Sequence, residues 1–227
     1  MLFAETQVRM NPEDFNEAMQ LRCGFFRRGF HTCTCGFPLH RSTQRECTAH
    51  ALTCPDNTYN YKGRHEEIVA EIRRTCERWA FHTIHEPHFF YSEVDERRPD
   101  VVVCTSRKSP VIDVTVVTNI AMSHAAQSDP AAVAAKEKTD KHASYIDVSP
   151  QYKFYPIAVE TSGNVHETFD QFVQELSHSL SFNQVKQFRR EMAFTLAVAL
   201  QRGNARILQH YYARLMRIQT FGSQAWH

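Results

Sequence analysis

The sequence predicts an α/β fold with a mixed sheet, in the order helix–strand–strand–strand–helix–strand. Two observations support this prediction: apolar residues recur with a 3.6-residue period before residue 80, and short runs rich in β-branched residues follow. The expected helices span about 63–80 and 130–146, and the expected strands span about 82–91, 100–104, 111–117 and 154–160. Because helices and strands do not alternate regularly, the pattern excludes a Rossmann-type repeat.

Each element has its own local signal. Ile68, Val69 and Ile72 place an apolar stripe on one face of the first helix. The nearly continuous β-branched run 111–117 is typical of a strand buried on both faces. Pro130 opens an Ala-rich and Lys-rich segment, and proline is favoured in the first turn of a helix.

Further helices are expected on both sides of this core. Asn11 can cap a helix over 11–22, with Pro12 in its first turn. Helices at about 165–178 and 182–202 follow the last strand, and Gly203-Asn204 is the expected break. We therefore divide the chain into a knuckle region (1–61), a core (62–180) and a basic helical extension (181–227).

The composition is that of a compact protein with one domain, or one domain and a small appendage. The 227 residues are 42% hydrophobic with a net charge of +1, which argues against a disordered chain. Every apolar run is shorter than the roughly 18 residues that a membrane-spanning helix needs. The first residues turn polar at Glu5, unlike a secretory signal, so we expect an intracellular protein without a membrane partner.

Five of the seven cysteines lie between residues 23 and 54, and in an intracellular chain such clustering favours a metal over disulfides. Two of them frame a short turn, and a histidine and another cysteine follow one helical turn apart. The predicted zinc ligands are Cys33, Cys35, His50 and Cys54, with Cys47 as an alternative ligand. The competing interpretation is a set of reduced thiols packed as small apolar groups.

Two aspartates stand where carboxylates are unfavourable. Asp100 opens a Val-rich strand, and Asp113 lies in the middle of the run 111–117. A lone carboxylate in such a strand is costly unless a cation or a donor meets it. Adjacent strands would bring both to one end of the sheet and form an oxygen site for Mg²⁺ or Mn²⁺. The alternatives are a turn residue for Asp100 and an arginine-paired acid for Asp113.

The Ala-rich helix contributes lysines that follow these acids. Lys136, Lys138 and Lys141 lie along it, and Lys141 shares a face with Tyr145 because the two are four residues apart. A lysine near a scissile phosphate can stabilise the charge that develops in the transition state. Taken alone, three lysines in a helix usually form a solvated face.

These motifs, in this order, resemble the restriction-like endonuclease domain of site-specific non-LTR retrotransposon proteins, a branch of the PD-(D/E)XK nucleases. The resemblance rests on Arg98-Pro99-Asp100, on Asp113-Val114-Thr115-Val116 and on the Lys141-x3-Tyr145 pair. It also includes a preceding Cys-Cys-His-Cys knuckle and the segments 156–161 and 198–206. The chain departs from the family at Glu160-Thr161-Ser162-Gly163-Asn164 and in the longer knuckle.

The resemblance implies a divalent-metal-dependent DNA endonuclease with a structural zinc knuckle, in the nucleus. Asp100 and Asp113 would hold Mg²⁺, Lys141 and Tyr145 would act on the phosphate or its attacking water, and Glu66 is a candidate third acid. DNA is the expected partner, with RNA or a reverse-transcriptase module as further candidates. The arginines expected to contact nucleic acid are Arg22, Arg27, Arg28, Arg41, Arg189 and Arg190.

Three questions stay open at this point. The chain is either a catalytically inactive binding or scaffold protein that keeps the fold and zinc, or an active nuclease. An active nuclease would nick a target site or resolve junctions in repair. No reverse-transcriptase motif accompanies the nuclease motifs, so the chain is either the C-terminal part of an element or a stand-alone descendant.

Overall fold

The computed structural model of the protein describes residues 10–23, 25–27, 29–88, 98–118, 129–146 and 150–222, without the side chains of 58–59, 143–146 and 220–222. Within these ranges six α-helices accompany one four-stranded sheet. The helices are α1 (Pro12–Arg22), α2 (Gln44–Thr53), α3 (Thr58–Arg78), α4 (Pro130–Ile146), α5 (Thr168–Ser177) and α6 (Phe182–Gly222). The strands are β1 (His82–His85), β2 (Val101–Cys104), β3 (Ser109–Val117) and β4 (Tyr152–Glu160). The predicted α/β class is confirmed.

The sheet is mixed, with strands in the order β1-β2-β3-β4. The first three strands form an antiparallel meander, whereas β3 and β4 run parallel in register from Ser109↔Tyr152 to Val117↔Glu160. Parallel neighbours need a crossover connection, and α4 is contained in it. The described elements from α3 to β4 thus follow the order helix–strand–strand–strand–helix–strand.

Alternate residues of β3 face two different layers. Ile112 and Val114 belong to the main core, which also contains buried residues of α3, α5 and α6. Val117 on the opposite face packs with the alanines of α4. Since side chains alternate along a strand, Asp113 projects toward α4 and away from the main core.

Helix α6 continues through Gly203-Asn204, so the helix break expected there is wrong. The reason is packing: a Cβ atom on Gly203 would lie 2.5 Å from Cγ of Arg64, whose side chain crosses from α3. The buried Arg64 donates from Nη1 to Oδ1 of Asn204 at 2.8 Å, and Asn204 donates to the carbonyl of Thr161 at 2.9 Å. Gly203 and Asn204 therefore both contribute to the contact between α3 and α6.

We expect Gly203→Ala to destabilise the protein by about 1–3 kcal/mol, because the added methyl group overlaps Arg64 in a packed interface. Gly63→Ala is the matched control, since its Cβ would meet nothing within 4 Å in α3 and should stabilise that helix by about 0.5–1 kcal/mol. Urea unfolding followed by circular dichroism measures both. Equal stability of the two variants would contradict the close approach of α3 and α6 at Gly203.

Candidate functional site

Four side chains of the knuckle converge as a ligand set for a metal ion. One ligand atom from each of Cys33, Cys35, His50 and Cys54 lies within 4.8 Å of all the others. The Sγ atoms of Cys33 and Cys54 are 3.6 Å apart, those of Cys35 and Cys54 are 3.9 Å apart, and Cys35 Sγ is 3.3 Å from His50 Nε2. Tetrahedral zinc with ordinary bond lengths places such atoms about 3.5–3.8 Å apart. The cluster can therefore hold zinc.

Local structure brings these ligands together. The backbone N–H of Cys33 bonds the carbonyl of Phe37, and Gly36 closes the turn with a left-handed φ of 92°. Helix α2 carries His50, whose ring stacks on Phe37 with centroids 4.0 Å apart, and Cys54 caps its C-terminus. The two halves of the ligand set thus approach through one turn and one helix end.

The buried thiols interact strongly. Burial opposes ionisation of Cys33, but the polar groups of the neighbouring Tyr211 and His50 outweigh it and lower the pKa of this thiol to about 6. Burial, with the neighbouring Cys33 sulfur as a further contribution, raises the pKa of Cys54 to about 12. Two adjacent thiolates repel each other, and a divalent cation between them would remove that cost.

Cys47 lies outside this ligand set. Its buried Sγ is 3.5 Å from the carbonyl oxygen of Leu39, and burial raises the pKa of its thiol. The sequence leaves Cys47 as an alternative zinc ligand. The structure brings together Cys33, Cys35, His50 and Cys54 without it.

The two aspartates lie at one end of the sheet. Val101 pairs with Ile112, so the next pair in the ladder sets Asp100 beside Asp113. The backbone N–H of Asp100 bonds the carbonyl of Ile112 at 2.9 Å, and its Oδ2 accepts from the N–H of Val114 at 2.6 Å. The pairing of β2 with β3 thus fixes the position and orientation of the Asp100 carboxylate.

Basic side chains from two helices meet these carboxylates. Lys138 Nζ lies 2.6 Å from Oδ1 of Asp113, and His142 Nε2 lies 2.6 Å from its Oδ2. From the other side, His65 Nε2 on α3 lies 3.1 Å from Oδ1 of Asp100. Asp113 is only 3% exposed, so these partners compensate for most of its lost hydration.

The pKa shifts follow from this arrangement. Burial raises the pKa of the Asp113 carboxyl, but His142 and Lys138 outweigh it and hold the pKa below its usual value. Burial lowers the pKa of His65, but the hydrogen bond and charge of Asp100, with the charge of Asp113, raise it overall. An ionised Asp113 carboxylate is thus the favoured state near neutral pH.

The structure brings together some of the expected catalytic residues and not others. Lys141 is exposed, and the lysine at Asp113 is Lys138, one turn earlier in α4. The side chain of Tyr145 lies outside the described residues. Glu66 is 46% exposed, and its carboxylate is 3.9 Å from the ammonium of Lys62.

The sequence alone assigns no role in this site to His65 or His142, and it favours Lys141 over Lys138. A signal was present, because Lys138 and His142 have the same four-residue spacing as Lys141 and Tyr145. That spacing does not tell which face of α4 meets the sheet.

The arginines that we expect to contact nucleic acid differ in their surroundings. Arg22 and Arg41 are exposed, whereas Arg27 pairs with Glu17 and lies over the ring of Tyr212. Arg28 lies outside the described residues. Arg189 and Arg190 are exposed beside Glu191, which bonds Arg78 and Trp79 at the C-terminal end of α3. That end is about 20 Å along the helix from His65.

The chain matches no protein-family model, and no curated protein matches it at a significant level. Among the described helices, none is both long and apolar enough to cross a membrane.

We expect about one zinc ion per chain, lost in Cys35→Ser and retained in Cys47→Ser. Cys35 is exposed, so its substitution changes the ligand set with little effect on packing. Metal analysis of dialysed protein by mass spectrometry measures the ratio. Loss of zinc from the Cys47 variant, with retention in the Cys35 variant, would contradict the ligand set.

Proposed function

We propose that the protein is a divalent-metal-dependent DNA endonuclease related to the target-site-nicking domain of non-LTR retrotransposon proteins. The observation that carries the proposal is the position of Asp100 and Asp113, side by side on adjacent strands, with Lys138 contacting Asp113 from the crossover helix. The element order and the mixed sheet are consistent with a PD-(D/E)XK core. The nucleus is the compartment that DNA as substrate implies.

The carboxylates suit the metal that this chemistry requires. Asp100 and Asp113 would hold Mg²⁺ or Mn²⁺, because carboxylate oxygens are the donors that these ions prefer. The bound ion would supply an activated water and charge stabilisation at the phosphate. Zinc in the knuckle would have four protein ligands and no open position, so its role is structural.

The remaining residues of the site orient the two carboxylates and provide positive charge. His65 and the N–H of Val114 orient the Asp100 carboxylate, and His142 orients that of Asp113. Lys138 places a positive charge beside Asp113, where it can stabilise negative charge that develops on a phosphodiester. We therefore assign to Lys138 the role that the sequence alone suggests for Lys141.

Exposed arginines are suited to bind the DNA backbone. Arg22 and Arg41 near the knuckle, and Arg189 and Arg190 at the start of α6, carry charges available to phosphates. Arg27 is less available because Glu17 already pairs with it. Contacts of this kind make affinity fall steeply with rising salt.

One observation favours the second candidate, a binding protein that does not cut. Asp113 is almost fully buried, and both of its oxygens already have basic partners. A buried structural ion pair requires the same arrangement. The nuclease proposal and this alternative differ in whether cleavage accompanies binding.

Nicking of supercoiled plasmid in Mg²⁺ or Mn²⁺ tests the proposal. We expect Asp113→Asn and Lys138→Met to lower the nicking rate by about 100-fold or more, because the first removes a charged metal ligand and the second removes a positive charge beside the phosphate. Lys136→Met is the matched control on the exposed surface of α4 and should retain the parent rate. Circular dichroism and DNA retardation check that each variant is folded and binds.

Lys141→Met distinguishes the two lysines of α4. Retained nicking in this variant supports Lys138, whereas loss in Lys141→Met with retention in Lys138→Met would return the role to Lys141. A folded, zinc-containing parent that retards DNA without nicking it would favour the binding protein.

A further inference from the structure

Arg214 of α6 reaches the metal cluster from a distant part of the chain. Its Nη2 lies 3.2 Å from Sγ of Cys54 and 3.7 Å from Sγ of Cys33. Its Nη1 donates to the carbonyl of Asp56 at 2.6 Å. One guanidinium therefore contacts two of the four candidate zinc ligands and the backbone that follows them.

The surrounding part of α6 covers the same cluster. Tyr211 lies beneath the guanidinium, with its ring centroid 5.4 Å from Cζ of Arg214, and its ring meets that of His50 edge-on at 6.0 Å. The buried residues of this packing include Cys33, Leu52 and Cys54 from the ligand-bearing region and Ile207, Leu208 and Leu215 from α6. The ligand-bearing loop and the second half of α6 thus form one packed unit.

The contact places the positive charge of Arg214 beside a ligand set that is negative when zinc is bound. Three thiolates and a neutral imidazole around Zn²⁺ carry a net charge of −1, and Cys33 and Cys54 are buried. A buried negative charge without a partner is costly. Arginine presents several donors in a rigid fork, so it can meet two sulfurs and a carbonyl together.

We propose that Arg214 is the charge partner of the metal-bound thiolates and couples zinc binding to the docking of the second half of α6. The inference rests on the zinc assignment made above and is independent of nuclease activity. Coupling is reciprocal: zinc strengthens the attachment of α6, and the attached α6 strengthens the binding of zinc. Arg214 is a positioning residue, since it acts through the ligands.

Two readouts test the coupling. Arg214→Ala should weaken zinc retention against a competing chelator by about 10–100-fold, the range found when an outer partner of a metal ligand is removed. Arg217→Ala is the matched control, because Arg217 is exposed on the same helix and should leave zinc release unchanged. Arg214→Lys retains the charge but not the fork, and should fall between the two.

Hydrogen exchange of the backbone amides of 205–219 provides the reciprocal readout. We expect faster exchange there when zinc is removed from the parent, and in zinc-bound Arg214→Ala. Arg214→Lys provides the same comparison if the alanine variant does not fold. A role in packing alone would destabilise zinc-bound and zinc-free protein equally, whereas coupling destabilises the zinc-bound form more.

Equal zinc release in Arg214→Ala and Arg217→Ala would overturn the coupling. A parent that binds no zinc would overturn the zinc assignment together with this inference. A parent that binds zinc but cuts no DNA would overturn the nuclease proposal alone, and the zinc-release comparison would still decide the role of Arg214.

Discussion

The close approach of α3 and α6 at Gly203 is the constraint on which both candidate sites depend. The buried Arg64 crosses between the helices where Gly203 has no side chain, and Asn204 accepts its hydrogen bond. Ion pairs of Arg202 with Glu67 and Glu71, and of Arg206 with Glu67, continue this contact. Arg202, Arg206 and Arg214 of the basic extension therefore have partners within the protein, which leaves fewer of its positive charges for a polyanion.

Asp113 shows how a costly group can be retained in a sheet. Its neighbours in β3 are apolar, yet Lys138 and His142 from the crossover helix meet both carboxylate oxygens. Because the folded-state pKa of Asp113 is below its ordinary value, the stabilisation by these partners is present above the unfolded pKa. It is lost as the pH falls through the folded value. Near neutral pH the paired carboxylate thus stabilises the contact of α4 with the sheet.

The sequence predicts the α/β class and the metal ligand set better than it predicts the partners of the carboxylates, and the reason is physical. The zinc ligands lie within 22 consecutive residues, so spacing and a helix turn suffice to group them. The partners of Asp100 and Asp113 come from α3 and α4 and depend on which helix face meets the sheet. The spacing of Lys138 and His142 equals that of Lys141 and Tyr145, so periodicity cannot choose between them. Gly203 looks like a helix break in the sequence, because the residue that packs against it, Arg64, lies far away along the chain.

The N-terminal half of α3 contacts both sites. Tyr61 donates from its hydroxyl to the carbonyl of the candidate zinc ligand Cys54 at 2.6 Å, and His65 reaches Asp100. These two residues are four apart, so they lie one above the other on the same helix face. Arg64, which lies between them in sequence, hydrogen-bonds Asn204 and so attaches the same turn to α6. The boundary drawn between residues 61 and 62 from the sequence falls within α3, so a helix and not a flexible linker connects the knuckle to the carboxylates. The contact with the knuckle and the contact with the carboxylates thus lie one turn apart on α3.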